Sequence, residues 1–251
     1  MNSLHVSLVV CVIIFAGSIF GISLRRVLPD GHFCPETETT IRLVMGFIVT
    51  MTGLILGMLV SSAKSSYDGQ KVLVAKVSSQ VILLDRALVE YGPEANPQRS
   101  QLRVAVQAAA DRIWPAQESA PVTLRPEDKM DLLESQLKDL TPRNSGQVNA
   151  KSHLLSILAD LRQSTWLIFI QSDTNKLSMP LLIILVSWIV TIFISFGLYA
   201  PPNPTVITTM LIGALAVSAA ILIIMGMYSP FNGFMKISSE PIREAIQQLK
   251  P

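Results

Sequence analysis

Long stretches of the sequence carry no formal charge. No Asp, Glu, Lys or Arg occurs between Lys176 and Lys236, between Arg42 and Lys64, or before Arg25. A transmembrane helix needs about 20 mostly apolar residues to cross a hydrocarbon layer about 30 Å thick. The segments that meet this requirement are residues 4–24, 43–63, 178–199 and 205–228. The sequence therefore predicts an all-α membrane protein with four transmembrane helices.

The charged residues are concentrated between the second and third apolar segments. Residues 62–176 hold 27 of the 38 charged residues, so we expect a helical cytoplasmic insertion there. The loop "APPNPT" joins the last two segments, and its prolines make that pair an antiparallel hairpin. The predicted regions are transmembrane helices 1 and 2 at 1–63, a cytoplasmic helical bundle at 64–176, transmembrane helices 3 and 4 at 177–229, and a C-terminal amphipathic tail at 230–251.

The basic residues near the segment ends predict the orientation. With four spans, both termini and the insertion lie on the same side of the membrane. That side has eight basic residues near the spans: Lys64, Lys71, Lys76, Arg162, Lys176, Lys236, Arg243 and Lys250. The other side has three, Arg25, Arg26 and Arg42. By the positive-inside rule, both termini and the insertion are predicted to be cytoplasmic.

A helical seam begins where the second apolar segment ends, and no turn signal separates the two. Large or apolar residues follow Tyr67 at alternating spacings of three and four, typical of a coiled-coil period. The core of this seam is Val74, Val77, Val81, Leu84 and Leu88. The second span is therefore predicted to continue as a helix into the insertion. The seam fits two arrangements: packing within one chain's bundle, or packing between subunits.

Further helices are predicted in the insertion and in the tail. They start near Gln98, near Pro126 and near Gln147, and the last is expected to run on toward the third span. In the tail, Ser239 is a candidate N-cap with Pro241 in the first turn. The apolar face of the tail is expected to lie against either the helical extension or the membrane surface.

The sequence shows no catalytic constellation. Its histidines, His5, His32 and His153, are scattered, and none has metal-ligand partners at a suitable spacing. We therefore expect no enzyme, no catalytic residue, no metal and no cofactor. The net charge of +2 does not suggest a nucleic-acid partner. Spans without ionisable side chains argue against a proton-driven transporter but leave a passive conduit open.

The second span carries a stripe of small and hydroxyl-bearing residues. They are Gly46, Thr50, Gly53, Gly57 and Ser61. The first span has the related spacing Gly17-x-x-x-Gly21, which lets helix backbones approach closely. The stripe in the second span has two interpretations, tight helix packing or the lining of a pore.

Two sequence stretches resemble a known family. They are "LVSSAKSSYDGQKVLVAKVSSQVILLDRALVEYGPEA" after the glycine-rich second span, and "SPFNGFMKISSEPI" after the last span. The second contains the motif residues Ser229, Pro230, Phe231 and Gly233. Together with the order of two spans, helical insertion and two spans, they are similar to the bacterial bestrophin-like domain family, long described as a domain of unknown function.

The resemblance implies a fold and an activity. Bestrophins are pentameric anion channels whose second span lines the pore, above a cytosolic helical vestibule. By this resemblance the chain would form a homo-oligomer, a pentamer, in the bacterial cytoplasmic membrane. Anions would pass through its pore, and Gly46–Ser61 would line that pore. The acidic calcium clasp and phenylalanine-rich neck of animal bestrophins are not found in this sequence. The alternative is a non-conducting scaffold anchored in the lipid bilayer, whose helical bundle binds a protein partner through the seam.

Overall fold

The computed structural model describes residues 3–29, 35–114, 128–174, 179–231 and 233–249, and every regular element among them is helical. The all-α class is confirmed for these residues. The helices are α1 (Ser3–Arg25), α2 (Pro35–Tyr91), α3 (Asn96–Ile113), α4 (Asp128–Lys138), α5 (Ser145–Thr174), α6 (Met179–Tyr199), α7 (Pro204–Met227) and α8 (Glu240–Gln248), with a 3-10 turn at Pro93–Ala95. Four of them, α1, α2, α6 and α7, are long and apolar enough to cross a membrane.

Helix α2 is continuous for 57 residues, from the second apolar segment through the seam. Its continuity agrees with the absence of a turn signal in the sequence. It ends at Tyr91, and the next residue, Gly92, has φ 122° and ψ −179°, a backbone conformation open almost only to glycine. The predicted continuation of α5 toward the third span falls on residues 175–178, which lie outside the described residues.

The chain divides into two compact units. The span unit comprises Met1–Ser66 and Lys176–Tyr228, and the bundle unit comprises Tyr67–Asn175 and Ser229–Pro251. Helix α2 contributes its first part to the span unit and its last part to the bundle unit. The C-terminal tail therefore belongs to the same unit as the insertion.

In the span unit, α1 packs against both α6 and α7. Ile14, Leu185 and Ile221 are almost fully buried in its core. Ser7 and Ser218 hydrogen-bond reciprocally between α1 and α7: the Ser7 hydroxyl donates to the Ser218 carbonyl at 2.8 Å, and the Ser218 hydroxyl to the Ser7 carbonyl at 2.6 Å. Each buried hydroxyl is thus satisfied by the backbone carbonyl of the other serine, where no water would be present in a bilayer.

Helices α1 and α6 cross at two glycines. A Cβ atom added to Gly21 would overlap the Ile194 carbonyl oxygen, and one added to Gly197 would overlap the Ser18 carbonyl oxygen. Both backbones are therefore in direct contact, as small residues permit in membrane helices.

The core of the bundle unit is built from the last part of α2 with α3, α4, α5 and α8. Leu84, Leu102, Leu137 and Leu158 are among its fully buried members. The tail helix α8 buries its apolar face in the same core through Ile242, Ala245 and Ile246. Of the two placements expected for the tail, the structure shows packing against the helical bundle.

The motif after the last span forms a turn that is anchored in the bundle unit. Pro230 and Phe231 are buried, Ser229 is exposed, and Gly233 has φ 87°. The Ile237 amide donates to the Pro230 carbonyl at 2.8 Å, which closes the turn. The Phe231 ring packs edge-on against Trp114, whose indole N–H donates to the Ile237 carbonyl at 2.8 Å. In this structure the motif therefore joins the chain after α7 to the bundle.

A partly buried ion pair links α2 to α3. The Arg99 guanidinium donates to both Asp85 carboxylate oxygens, at 2.8 and 3.1 Å. These hydrogen bonds raise the pKa of Arg99, against a smaller lowering by burial. Because two parallel bonds hold one carboxylate, the pair fixes the register of α3 on α2.

Replacing Asp85 with asparagine is expected to lower the free energy of unfolding by about 2 kcal/mol, because a buried, charge-assisted pair is lost. Denaturant titration of the purified full chain would measure this. The matched control is Glu38→Gln, which removes an exposed i, i+4 pair with Arg42 and should cost less than about 0.5 kcal/mol. Equal effects of the two substitutions would contradict the prediction.

Candidate functional site

The small-residue stripe of the second span lies on an uncovered face of α2. All five of its residues, Gly46, Thr50, Gly53, Gly57 and Ser61, are exposed. Apart from its chain neighbours and the adjacent backbone of α2, a Cβ atom added to any of the three glycines would find no atom of the described residues within 4 Å. We call these five residues the α2 stripe.

The uncovered face is part of a wider feature of α2. In the most apolar stretch of this helix 6% of the residues are buried, against 50% in α1 and 33% in each of α6 and α7. Leu43, Phe47, Leu54 and Met58 are among its exposed large side chains. A membrane helix with so little burial in its own chain has most of its surface available to lipid or to other subunits.

The glycines of α1 behave differently, although their spacing is similar. Gly17 and Gly21 are buried. A Cβ atom on Gly17 would lie 3.1 Å from a Val190 side-chain carbon, and one on Gly21 would strike the α6 backbone. The glycines of α1 are thus used for packing within the chain, and those of the α2 stripe are not.

The α2 stripe is neutral and weakly polar. The Thr50 hydroxyl donates to the Gly46 carbonyl at 2.9 Å, so its hydrogen is used within the helix and its oxygen can still accept. No Asp or Glu occurs between Glu38 and Asp68, and Arg42 and Lys64 are the nearest basic residues on either side. Such a face consists of small side chains and hydroxyl oxygens, and it offers no set of ligands for a metal ion. That it lines a pore stays a prediction.

The seam residues lie inside the bundle unit. Val81, Leu84 and Leu88 belong to its main core, and Val74 lies in a smaller cluster with Ile168, Phe231 and Ile237. Val77 is partly buried and packs against both clusters. Of the two arrangements that the period allowed, packing within the chain's own bundle is the one seen.

The described residues contain no group of three or more His, Cys, Asp or Glu side chains placed to hold a metal ion. Several of their acidic side chains form ion pairs instead, such as Asp131 with Arg162 at 2.8 Å. His32 lies outside the described residues. The expectations of no enzyme and no cofactor rest on the sequence alone.

The sequence analysis did not identify Gly197, a residue that is important for helix packing. Gly197 is an isolated glycine in α6, and no spacing pattern marks it, yet it makes the closest approach to α1. The GxxxG spacing of α1 indicated that some helix would pack there, but it could not name the partner.

Comparison with known proteins gives a family but no individual relative. No curated protein and no solved structure matches the chain significantly. The family model described as "Bestrophin-like domain" matches residues 11–242, which include the first candidate span from Cys11 onward, the other three candidate spans and most of the bundle unit. Helices α2, α6 and α7, the α2 stripe and the anchored motif at 229–233 all lie within this range. The chain therefore belongs to the bestrophin-like domain family and is a membrane protein of that family.

Proposed function

We propose that five copies of the chain assemble into a homo-oligomeric ion channel. This channel conducts anions, and the α2 stripe lines its pore. The observation that carries the proposal is the uncovered small-residue face of α2 in a chain of the bestrophin-like domain family. A stripe used for packing within the chain would contact neighbouring helices, as Gly17 and Gly21 do. The five residues of the α2 stripe are exposed, and none of its three glycines is packed against another helix of the described residues, which leaves the stripe available to face an axis shared by several subunits.

The chemistry of α2 fits a passive conduit better than a pump. Buried carboxylates or basic groups are the usual components of proton relays, and none lies between Arg42 and Lys64. Conduits can instead be built from hydroxyls, small residues and hydrophobic constrictions. Charged residues of either sign are absent between Arg42 and Lys64, so the support for anions is the resemblance to bestrophins and not a charged ring in this stretch of α2.

The proposed location is the bacterial cytoplasmic membrane, with both termini and residues 64–176 in the cytoplasm. Its support is the excess of basic residues near the span ends on that side, eight against three.

The scaffold alternative is weakened by the packing of the seam. That hypothesis placed a partner protein on the face formed by Val74, Val77, Val81, Leu84 and Leu88. Four of these side chains are buried in the chain's own bundle and Val77 is partly buried, so the face is not available for docking. No other observation favours this alternative.

Planar-bilayer recording on the purified full chain tests the proposal. We expect unitary currents from the oligomeric fraction, with a reversal potential that follows the chloride gradient and not the cation gradient. Size-exclusion chromatography with light scattering gives the subunit number of the same sample. If a confirmed oligomer shows no unitary current in any salt, the proposal that the chain is a channel is wrong. If the currents follow the cation gradient, the proposed anion selectivity is wrong.

A further inference from the structure

The face of α2 that carries the α2 stripe continues beyond the second span. An α-helix has 3.6 residues per turn, so positions 18 residues apart, about five turns along, point in the same direction. Moving about five turns on from each residue of the stripe gives five further positions on the same continuous helix. All five are exposed, and they are Lys64, Asp68, Lys71, Ala75 and Ser79. The stripe is therefore the first part of a longer uncovered face of α2.

Beyond the second span, this face lies on the side of α2 away from the seam. Val74 and Val81 of the seam are buried in the chain's own clusters. Ser79 lies about 200° around the helix from Val81 and is exposed. Val72, which precedes the buried Val74 by two residues, is 67% exposed. The fold of the single chain thus leaves this side of α2 uncovered, as it does in the second span.

Selection between anions and cations by charge cannot come from the α2 stripe itself. No charged residue occurs between Arg42 and Lys64. At the first end of this neutral stretch, Arg42 is bridged by Glu38. At the other end, Lys64 and Asp68 each have an interaction partner, and the next charged residue on the face is Lys71. Any selection by charge along this face therefore depends on residues beyond the ends of the stripe.

Lys71 is the residue on this face whose charge is available to ions in solution. It is exposed and forms no ion pair or hydrogen bond with any described residue. Other basic side chains of the bundle unit, such as Arg99 and Arg162, bridge carboxylates. A bridging carboxylate cancels much of the field of a cation, whereas an unbridged ammonium group attracts anions from the surrounding water.

We propose that Lys71 is a selectivity-determining residue of the channel, and that a ring of its ammonium groups favours anions over cations beyond the Ser61 end of the stripe. This inference rests on the proposed function. If the α2 stripe faces an axis shared by the subunits, Lys71 faces the same axis, because it follows Gly53 by about five turns of one helix. Each subunit then contributes one ammonium group to the ring, and rings of Lys or Arg are one way in which pores select anions.

Reversal of this charge tests the role of Lys71. The full-length Lys71→Glu variant is recorded in planar bilayers under a potassium chloride gradient, and the reversal potential gives the ratio of chloride to potassium permeability. We expect this ratio to fall about fivefold or more at about 0.1 M salt. The fall should be smaller at about 1 M salt, where the Debye length shrinks from about 10 Å to about 3 Å. Lys71→Arg keeps the charge and should keep the ratio.

Lys76→Glu is the matched control. Lys76 is an exposed lysine five residues further along α2, about 140° around the helix from Lys71, and so lies off the face that carries the stripe. The same change of charge at this position should leave the permeability ratio unchanged. Light scattering on each sample confirms that the oligomer is intact. If Lys71→Glu does not assemble, Lys71→Gln takes its place, with a fall of about twofold or more expected.

The outcomes separate this inference from the proposed function. If the unmodified chain conducts and the charge-altered Lys71 variant has the same permeability ratio, the role of Lys71 is wrong while the channel stands. Equal falls in the Lys71 and Lys76 variants would show a general effect of surface charge, which also contradicts a specific role for Lys71. If the unmodified oligomer carries no current, the proposed function is wrong, and the role of Lys71 is wrong with it.

Discussion

Replacing Gly21 with leucine is expected to prevent α1 and α6 from packing. A Cβ atom alone would overlap the Ile194 carbonyl oxygen, which is backbone and cannot move aside as a side chain can. A full leucine side chain must therefore push the helices apart, and the reciprocal contact of Gly197 with Ser18 is lost with it. We expect a cost of about 4 kcal/mol or more, at the upper end for single substitutions. Titration with sodium dodecyl sulfate, followed by circular dichroism and protease resistance, would measure it.

Ala16→Leu is the matched control for this substitution. It makes a similar change five residues earlier on α1, at an exposed position. It should unfold at the same detergent fraction as the unmodified chain, within about 0.5 kcal/mol. The double variant Gly21→Leu with Gly197→Leu should cost little more than one substitution alone, because the two share one crossing. A Gly21→Leu protein as stable as the control would show that the two backbones do not meet there.

Replacing Gly57 with leucine is expected to reduce the unitary conductance about tenfold or more, because pore diameter limits conduction. The substitution places a large apolar side chain on the α2 stripe, where a Cβ atom meets no described residue of another helix within 4 Å. It should not disturb the fold of the chain itself; leucine also has the higher helix propensity. Single-channel recording on the purified oligomer gives the conductance, and light scattering confirms that the assembly is unchanged.

Ala219→Leu on α7 controls for a general effect of added bulk in the spans. Ala219 is exposed within a candidate span, and we expect its replacement to leave the conductance unchanged. Gly57→Leu with unaltered conductance would exclude the α2 stripe as the pore lining while leaving a channel built from another surface open. Loss of the oligomer in Gly57→Leu alone would instead identify the stripe as a packing face between subunits.

The anchored motif at 229–233 was recognised in the sequence as a family pattern, but the sequence did not reveal its structural role. Its residues carry no catalytic signature, and the resemblance that they support did not assign them a role. In the structure Phe231 packs on Trp114, and Gly233 adopts a positive φ that the turn requires. A requirement for these residue types therefore follows from the turn and from its anchoring, without any contact to a ligand.

Local properties of the sequence determined the helices. The charge-free segments indicated four candidate spans because burying charge in hydrocarbon is costly, and the 3-4 spacing after Tyr67 indicated which face of α2 would be apolar. The family was also evident from contiguous stretches of sequence. Each of these signals is carried by neighbouring residues on one helix.

Only the tertiary structure decided what each face contacts. Gly17 and Gly21 on α1 and Gly53 and Gly57 on α2 have the same i, i+4 spacing, but the first pair is buried against α6 and the second is uncovered. Likewise, the seam could have joined subunits, and the tail could have lain on a membrane, until both were seen in the bundle core. Spacing along one helix specifies the shape of a face, whereas its partner depends on surfaces supplied by residues far away in the chain, such as Gly197.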